Sequence, residues 1–302
     1  EHAGALLREL IDPAPGPDGS APAAARSLHV GVVTTDMGTG GFPVQTCAHP
    51  VDGDDGALQT GGRLEGCADS YVSPGCEGGC PWLAHTAEHP DDGRDPTNPP
   101  IWDDLGCVAS LGTGGCGTEQ QLEAGLAALT TQAAPGGANE GFLRQDSVVA
   151  VLFVTDEGDC SQDEPDFWNP ARDGLGPFGV RCVSNLGLLH PVERYVEGLR
   201  ALRPGREHLV LAAAITGLPD DREPGSIALE DVWEVLAPVI DPEELNRTLP
   251  ICDSAAGSAR PAPRIAELVL RLDHEGVLGS ICDENWSETV AAVARAIQRR
   301  LD

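Results

Sequence analysis

Four polar side chains follow directly after the most apolar stretch of the chain. The stretch covers residues 148–154, and it ends at Thr155, Asp156, Glu157 and Asp159. A short unbroken run of Val, Leu and Phe is typical of a strand that is buried on both faces of a parallel sheet. Ligands bind beyond the carboxyl ends of such strands, and carboxylates there can hold a hard cation. The alternative interpretation is a core strand followed by an ordinary polar turn.

Thr118 is the second candidate, because it precedes a helical pattern and offers a hydroxyl group from a neighbouring loop. Together with Asp156 it predicts a partial metal site made of oxygen ligands. The alternative is that Thr118 only caps the helix, since Thr118 and Gln121 have the spacing of a capping box.

Two further clusters contain metal-ligating residue types. Cys76, Cys80, His85 and His89 could hold zinc, although their spacing is not that of a common finger and a disulfide is the simpler interpretation. The segment VDGDDG, residues 51–56, could bind calcium through its aspartates, Asp52, Asp54 and Asp55. It lacks the downstream glutamate of an EF-hand, so a solvated turn is favoured.

Charge and composition limit the classes of partner. The formal net charge is −29 at pH 7 over 302 residues, which argues strongly against nucleic acid because phosphates are repelled. The acidity favours cations or basic partners, although it also serves simply to keep a surface soluble. The apolar share of 41% is enough for a core, and no apolar stretch is long enough to span a membrane.

Ten cysteines, an even count, lie more in loops than in the apolar runs, which predicts disulfides and an oxidising, extracytoplasmic compartment. Their spacing alone does not fix the pairing. Proximity along the chain predicts five local pairs, each closing one loop: Cys47–Cys67, Cys76–Cys80, Cys107–Cys116, Cys160–Cys182 and Cys252–Cys282.

The remaining elements must bring these residues together. Buried strands are predicted at residues 28–34, 148–154 and 208–215, with a short edge strand at 277–281. Helices are predicted at residues 1–11, 101–111, 119–129, 193–202, 227–236, 264–272 and 286–301. Strands that alternate with helices predict an α/β fold: a doubly wound, mostly parallel sheet with helices on both faces. Long insertions at about 37–100, 157–191 and 217–263 follow strand ends and should gather on the ligand side of the sheet.

The stretch VLFVTDEGDCS resembles the third metal-site motif of von Willebrand factor A-type domains, and GCGTEQQLEAGLAAL resembles the segment that opens a helix in that fold. With LHVGVVTTDMG, GFLRQDSVVAVLFVTDEGDCS and GSIC, the chain from Leu28 onward resembles a cysteine-rich branch of predicted bacterial envelope lipoproteins. The resemblance implies one A-type, Rossmann-like domain over residues 1–302, with Thr118 and Asp156 as metal ligands.

The chain departs from that family at the first metal-site motif, Asp-x-Ser-x-Ser, which is absent. We therefore expect an N-terminally truncated domain, in which residues 28–34 and 148–155 either pair directly or leave a gap where the family has its first strand. We expect magnesium or manganese to bind this chain weakly or not at all, and to bind a version extended upstream. The missing upstream part should also carry a secretion signal or a lipid anchor.

Two function classes follow. The leading hypothesis is a secreted or envelope-bound binding module that recognises a protein or cell-surface ligand at the carboxyl ends of the strands, without catalysis. The alternative is a metal-dependent α/β enzyme that uses Asp36, Asp156 or Glu157 as ligand or acid/base, and a purely structural envelope protein is a third class. No GxSxG, GxGxxG, P-loop or HExxH motif is present, which weakens the enzyme hypothesis. A histidine or second buried carboxylate close to Asp156 would favour the enzyme, and an open rim would favour binding.

Overall fold

A computed structural model describes residues 2–15, 22–44, 46–62, 65–68, 70–87, 101–164, 166–220, 226–255 and 257–301. The helices are α1 (His2–Ile11), α2 (Ile101–Val108), α3 (Gln121–Leu129), α4 (Arg181–Ser184), α5 (Val192–Arg200), α6 (Val232–Val235), α7 (Pro263–Leu272) and α8 (Ser287–Gln298). The strands are β1 (Ser27–Val30), β2 (Leu83–Thr86), β3 (Val149–Val154), β4 (Val210–Thr216), β5 (Cys252–Ser254), β6 (Gly257–Ala259) and β7 (Val277–Ser280). Among the described helices, none combines the length and apolarity needed to cross a membrane.

The largest sheet is parallel and has the strand order β3-β4-β7. Val149 is opposite Val210 in the β3–β4 pair, and Ala213 is opposite Val277 in the β4–β7 pair. All seven residues of the central strand β4 are buried, as its apolar sequence requires. The predicted strands at 148–154 and 208–215 and the edge strand at 277–281 are confirmed, with ends that differ by one or two residues.

Helices cover both faces of this sheet. Successive residues of a strand point to opposite faces, so Ala212 and Ala214 of β4 pack with helices α3, α5 and α7, whereas Leu211 and Ala213 pack with α1 and α8. The predicted α/β class, with a parallel sheet between two helical layers, is confirmed.

The predicted strand at 28–34 does not belong to this sheet. Its first part is β1, which pairs antiparallel with β2 in a separate two-stranded sheet, with Ser27 opposite Thr86. No strand pairing or other backbone hydrogen bond joins described residues 27–36 to residues 148–155. The prediction of a third parallel partner was wrong, and of the two outcomes expected for these segments the structure has the gap. β1 pairs instead with β2, from the insertion at 37–100, and Leu83 of β2 joins an apolar cluster with Leu28 and Leu7.

Two predicted helices are shorter than their apolar pattern. Helix α2 ends at Val108, and the helix expected at 227–236 is reduced to α6, Val232–Val235, after a short 3₁₀ turn. Helix α3 begins at Gln121 with Gln120 at the N-cap position. Thr118 therefore does not cap it, and the capping-box interpretation is wrong.

All ten cysteines are paired. The local pairs Cys76–Cys80, Cys160–Cys182 and Cys252–Cys282 are confirmed. The other two predicted pairs are wrong, because the bridges are Cys47–Cys116 and Cys67–Cys107, over sequence separations of 69 and 40 residues. These two bridges attach the insertion at 37–100 to helix α2 and to the connection that follows it. The insertion lies against that connection elsewhere too, since the amide of Gly117 donates to the carbonyl of Thr46 at 3.1 Å.

The Cys76–Cys80 bridge also decides against the zinc hypothesis for this oxidised protein, because zinc binds thiolates and both sulfurs are in the disulfide. His85 lies on β2, and His89 lies outside the described residues.

The non-local bridge should stabilise the fold more than the local one. Closing a longer loop removes more entropy from the unfolded chain, so replacing Cys67 and Cys107 by serine should lower the free energy of unfolding by about 2–4 kcal/mol. The matched change at Cys76 and Cys80, only four residues apart, should cost less. Denaturant unfolding measures both variants, and non-reducing peptide mapping should find Cys47 linked to Cys116. Equal losses, or a peptide that links Cys47 to Cys67, would contradict the described pairing.

Candidate functional site

Three segments meet at the carboxyl end of β3. The side-chain amide of Gln121 donates to the hydroxyl of Thr155 at 2.9 Å, which joins α3 to the strand end. The backbone amide of Gln120 donates to the carbonyl of Thr35 at 3.1 Å, which joins the same connection to the segment after β1. We call the carboxylates carried by these segments and the turn beside them the acidic rim: Asp36, Asp54, Glu119, Asp156 and Glu157.

The buried hydroxyl of Thr155 fixes the turn that carries the exposed members of the rim. It accepts a hydrogen bond from the backbone amide of Glu157 at 3.1 Å, and it lies 3.4 Å from a carboxylate oxygen of Glu119, to which it can donate. This network orients Asp156 and Glu157 outward at the strand end, where both are exposed.

Two carboxyl groups of the rim, Glu119 and Glu157, have a pKa above the ordinary value of a glutamate. Burial, and then the negative charge of Asp156, raises the pKa of Glu119, although hydrogen bonds from Thr155 and Thr35 oppose the change. Partial removal from water, and then the charges of Glu119 and Asp156, raises the pKa of Glu157 to about 7, against an opposing attraction from Arg260. A carboxyl group with such a pKa exchanges its proton near neutral pH, which is a property shared by general acids and bases.

Asp36 and Asp54 form the inner part of the rim and are held by a turn. Asp36 is buried and accepts from the amide of Gly38 at 3.0 Å, while Asp54 accepts from the hydroxyl of Thr34 at 2.6 Å. Gly53 has a φ of 58°, and a Cβ atom there would lie 2.4 Å from an Asp36 oxygen, so the turn requires glycine.

The aspartates of VDGDDG do not act as one calcium loop. Asp54 binds Thr34, whereas Asp55 accepts from the side chain of Gln132 at 2.8 Å on the far side of the turn. Among the described residues, one group brings three metal-ligating types within 4.8 Å of one another, Asp36 with Cys47 and Cys116. The two sulfurs form a disulfide and carry no thiolate, so this group is not a metal site.

Asp159, expected among the acids at the strand end, is buried and structural. Its side chain is 0% exposed and forms an ion pair of 2.9 Å with Arg264 of α7. One oxygen also accepts from the amide of Leu122 at 2.9 Å, and Ser161 accepts from the amide of Glu123 at 3.0 Å. Asp159 and Ser161 therefore accept the hydrogen bonds of backbone amides in the first turn of α3, whereas the sequence pattern had assigned the capping of this helix to Thr118.

Thr118 and Asp156 share a neighbour in Glu119, which follows Thr118 in the chain and interacts with the charge of Asp156. The hydroxyl of Thr118 is buried and has no hydrogen-bond partner among the described residues, so its oxygen is available as a metal ligand. These two residues fit a magnesium or manganese ion in ligand type, but two protein ligands are few for an ion that takes six oxygens.

The sequence interpretation missed the contributions of Glu119, Gln121 and Arg264. Glu119 and Gln121 stand next to the predicted residue Thr118, but nothing in their spacing shows that they turn toward β3. Arg264 lies 105 residues from Asp159, and no local pattern connects the two.

We compared the chain with models of protein families, with curated proteins and with solved structures, and none of them matches it.

The Asp159–Arg264 pair should matter more for stability than any exposed acid on the rim. Asp159→Ala leaves a buried arginine unpaired and uncaps α3, so it should lower the free energy of unfolding by about 3–5 kcal/mol. Asp156→Ala removes an exposed carboxylate from the same loop and should change that free energy by no more than about 0.5 kcal/mol. Denaturant unfolding of both variants tests this, and equal effects would show that the pair is not a structural anchor.

The raised pKa of Glu157 predicts a loss of stability on going from acid to neutral pH. Between its ordinary value of 4.5 and about 7, the folded protein holds this proton more tightly than the unfolded chain does. The contribution of this group to the free energy of unfolding therefore falls as pH rises through that window. Glu157→Gln should reduce the decline in unfolding free energy measured between these pH values, whereas Glu275→Gln, an exposed acid elsewhere, should preserve it. An identical decline in wild type and Glu157→Gln would contradict the raised pKa.

Proposed function

We propose that this chain is an extracytoplasmic binding module that recognises a basic protein or cell-surface ligand on its acidic rim, without catalysing a reaction. The observation that carries the proposal is the open position of Asp156 and Glu157, which stand exposed beside a third carboxylate, Glu119. The net charge of −29 adds long-range attraction for a basic ligand.

Two further features support a binding role. The side-chain hydrogen bonds of the described rim residues include no histidine and no free thiol, so no nucleophile with its base is assembled there. The five disulfides are consistent with an oxidising, extracytoplasmic environment, where surface ligands are met.

The alternative is a metal-dependent α/β enzyme, and one observation favours it. Glu157, with a pKa of about 7 beside Glu119 and Asp156, has the protonation behaviour of a general acid or base. A second, partly buried carboxylate in Glu119 is also the kind of neighbour that an acid/base pair needs. Its weakness is that Asp156 and Glu157 are exposed, so water is not excluded from these two carboxyl groups.

The family and the metal remain part of the proposal. We propose that the sheet is of the von Willebrand factor A type and that Thr118 and Asp156 are what this chain retains of its metal site. A divalent ion held by these two residues keeps most of its waters and binds weakly. When bound, it would supply a positive charge beside the rim carboxylates.

Binding of a basic probe tests the rim. A labelled lysine- and arginine-rich peptide should bind the full chain, and raising the salt concentration should weaken it. The double variant Asp156→Asn and Glu157→Gln should weaken binding about tenfold, a loss of ~1.4 kcal/mol. The matched control, Glu197→Gln with Glu275→Gln, removes two carboxyl groups from exposed positions on other parts of the surface and should leave binding nearly unchanged.

Equal weakening by both double variants would mean that the peptide senses only the net charge, and the rim would not be the site. Calorimetry with magnesium chloride on the same proteins tests the metal site separately. Tight magnesium binding that Asp156→Ala abolishes would contradict the proposal that Thr118 and Asp156 form only a weak, partial site. Hydrolysis of a probe that Glu157→Gln abolishes would favour the enzyme.

A further inference from the structure

Two segments of the chain have the acceptor pattern for N-linked glycosylation, an asparagine followed two residues later by serine or threonine, with no proline between. They are residues 246–248, NRT, in the insertion after β4, and residues 285–287, NWS, in the loop between β7 and α8. The pattern marks surface asparagines of secreted proteins to which a sugar chain can be attached. Glu244 and Asp283 each stand two residues before the asparagine, so the segments also resemble each other in charge. The sequence does not separate them, but the structure does.

The sugar is attached to the side-chain nitrogen Nδ2 of asparagine, so this atom must be accessible. Asn139 and Asn185 donate from Nδ2 to backbone carbonyls at distances between 2.7 and 3.0 Å, so their nitrogens are occupied by the fold. Asn246 and Asn285 are exposed, and in the hydrogen bonds among described residues each uses only its oxygen Oδ1. Both asparagines of the acceptor pattern therefore have a nitrogen that is open to a new bond.

The hydroxyl residue of the pattern distinguishes the two segments. A transferase recognises this hydroxyl as well as the asparagine, so it must reach both side chains. Thr248 is only 7% exposed and lies in an antiparallel bridge with Ile240, whereas Ser287 is exposed. In the folded protein, Asn285 is therefore the acceptor that an enzyme can reach together with its hydroxyl.

The carboxamide of Asn285 and the hydroxyl of Ser287 are already in contact. The oxygen of the carboxamide accepts from this hydroxyl at 2.6 Å and from the backbone amide of Ser287 at 2.9 Å. Asn169 forms a similar turn, because it accepts from the amide of Ala171 at 2.9 Å, but proline and alanine follow it. Asn169 therefore has the turn without the hydroxyl and serves as a control within the same chain.

The loop that carries Asn285 lies at the carboxyl edge of the parallel sheet. It follows β7, and Cys282 at its start is bonded to Cys252 of β5. Because β3, β4 and β7 are parallel neighbours, this edge is also the one that carries the acidic rim. Two strand spacings of ~4.8 Å place β7 about 10 Å from β3, so a sugar chain here would stand on the ligand side of the sheet.

We propose that Asn285 is a site of N-linked glycosylation on the folded protein and that Asn246 is not modified once the chain has folded. In the transfer, Nδ2 of Asn285 forms a bond to the anomeric carbon of an oligosaccharide. The bond from that carbon to a lipid-linked pyrophosphate breaks, the pyrophosphate leaves with the bonding electrons, and Nδ2 gives one proton to a base of the transferase. The inference goes beyond the rim proposal and shares with it only the extracytoplasmic location, which N-linked acceptors require.

Incubation of the purified, disulfide-intact chain with an oligosaccharyltransferase and a lipid-linked oligosaccharide tests the site. Glycopeptide mass spectrometry should find sugar on Asn285 and none on Asn246 or Asn169. Reduction and denaturation release Thr248 from its bridge, so Asn246 should then be modified as well. A folded chain without sugar on Asn285, or with sugar on Asn246 instead, would overturn the assignment.

Two substitutions at position 287 separate recognition of the hydroxyl from an effect on the fold. Ser287→Thr keeps a hydroxyl and should retain the sugar on Asn285. Ser287→Ala should reduce the modification at least about tenfold, because a site built to bind a hydroxyl discriminates against its absence. Circular dichroism checks that both variants fold. Equal glycosylation of the two variants would contradict the proposal, and the unsubstituted chain decides the matter if either variant does not fold.

The protein isolated from its own cells provides the second measurement. Peptide mapping should find sugar on Asn285 and an unmodified Asn169, and an Asn285 that is always unmodified would show that the site is not used. The rim variant Asp156→Asn with Glu157→Gln should be glycosylated like the wild type, and Asn285→Gln should bind the basic peptide like the wild type. Loss of peptide binding with the sugar retained would contradict the rim proposal alone. Absence of the sugar with peptide binding retained would contradict this one alone.

Discussion

The buried ion pair between Asp159 and Arg264 is the interaction on which the structure at the carboxyl end of β3 depends. Taking two charges out of water is costly, and it is tolerated only when each has a partner and the remaining hydrogen-bonding capacity is used. Here Asp159 also accepts from the amide of Leu122, and Arg264 donates to the carbonyl of His190 at 2.8 Å. One carboxylate thus joins the loop after β3, the start of α3 and the start of α7, and it fixes where Asp156 and Glu157 stand.

The sheet is asymmetric around its central strand. Strand β4 is paired on both edges and covered on both faces, so all seven of its residues are buried. Strand β3 has the same kind of sequence, but among the described residues only β4 pairs with it, and the segment after β1 shares no backbone hydrogen bond with it. Cys47–Cys116 and Cys67–Cys107 attach the insertion that follows β1 to helix α2 and to the connection that follows it.

The sequence predicts those features of the fold that depend on local pattern. Apolar runs located β3, β4 and β7, and helical periodicity located α1, α3, α5, α7 and α8, because burial on one or both faces leaves a periodic signal. The partner of β1 was missed, since LAHT in β2 is too short to have a pattern and a run such as LHVGVVT does not say which strand it joins.

The sequence predicted which acidic residues belong to the candidate site, but it did not predict how the structure arranges and holds them. Asp156 and Glu157 follow from the end of an apolar run, whereas the capping of α3 depends on Asp159 and Ser161, some 37 and 38 residues ahead. The capping-box spacing at Thr118 was present, but the helix begins later, at Gln121, and the buried carboxylate of Asp159 accepts a charge-assisted hydrogen bond from the amide of Leu122 in its first turn. Disulfides Cys47–Cys116 and Cys67–Cys107 were missed for a related reason, because distances along the chain say little about contacts made by a long insertion.

The carboxylates of the rim are held by contacts from two separate parts of the fold. The rim turn is anchored through Thr155 and Asp159 to α3 and α7, which lie on one covered face of the sheet. The segment 27–36 reaches the rim separately, through the Thr35 carbonyl on Gln120 and the Thr35 side chain on Glu119. That side-chain hydrogen bond opposes the raised pKa of Glu119, and the charge of Glu119 in turn raises the pKa of Glu157. The carboxylates at the strand end therefore depend on a segment outside the parallel sheet as well as on the helices that cover it.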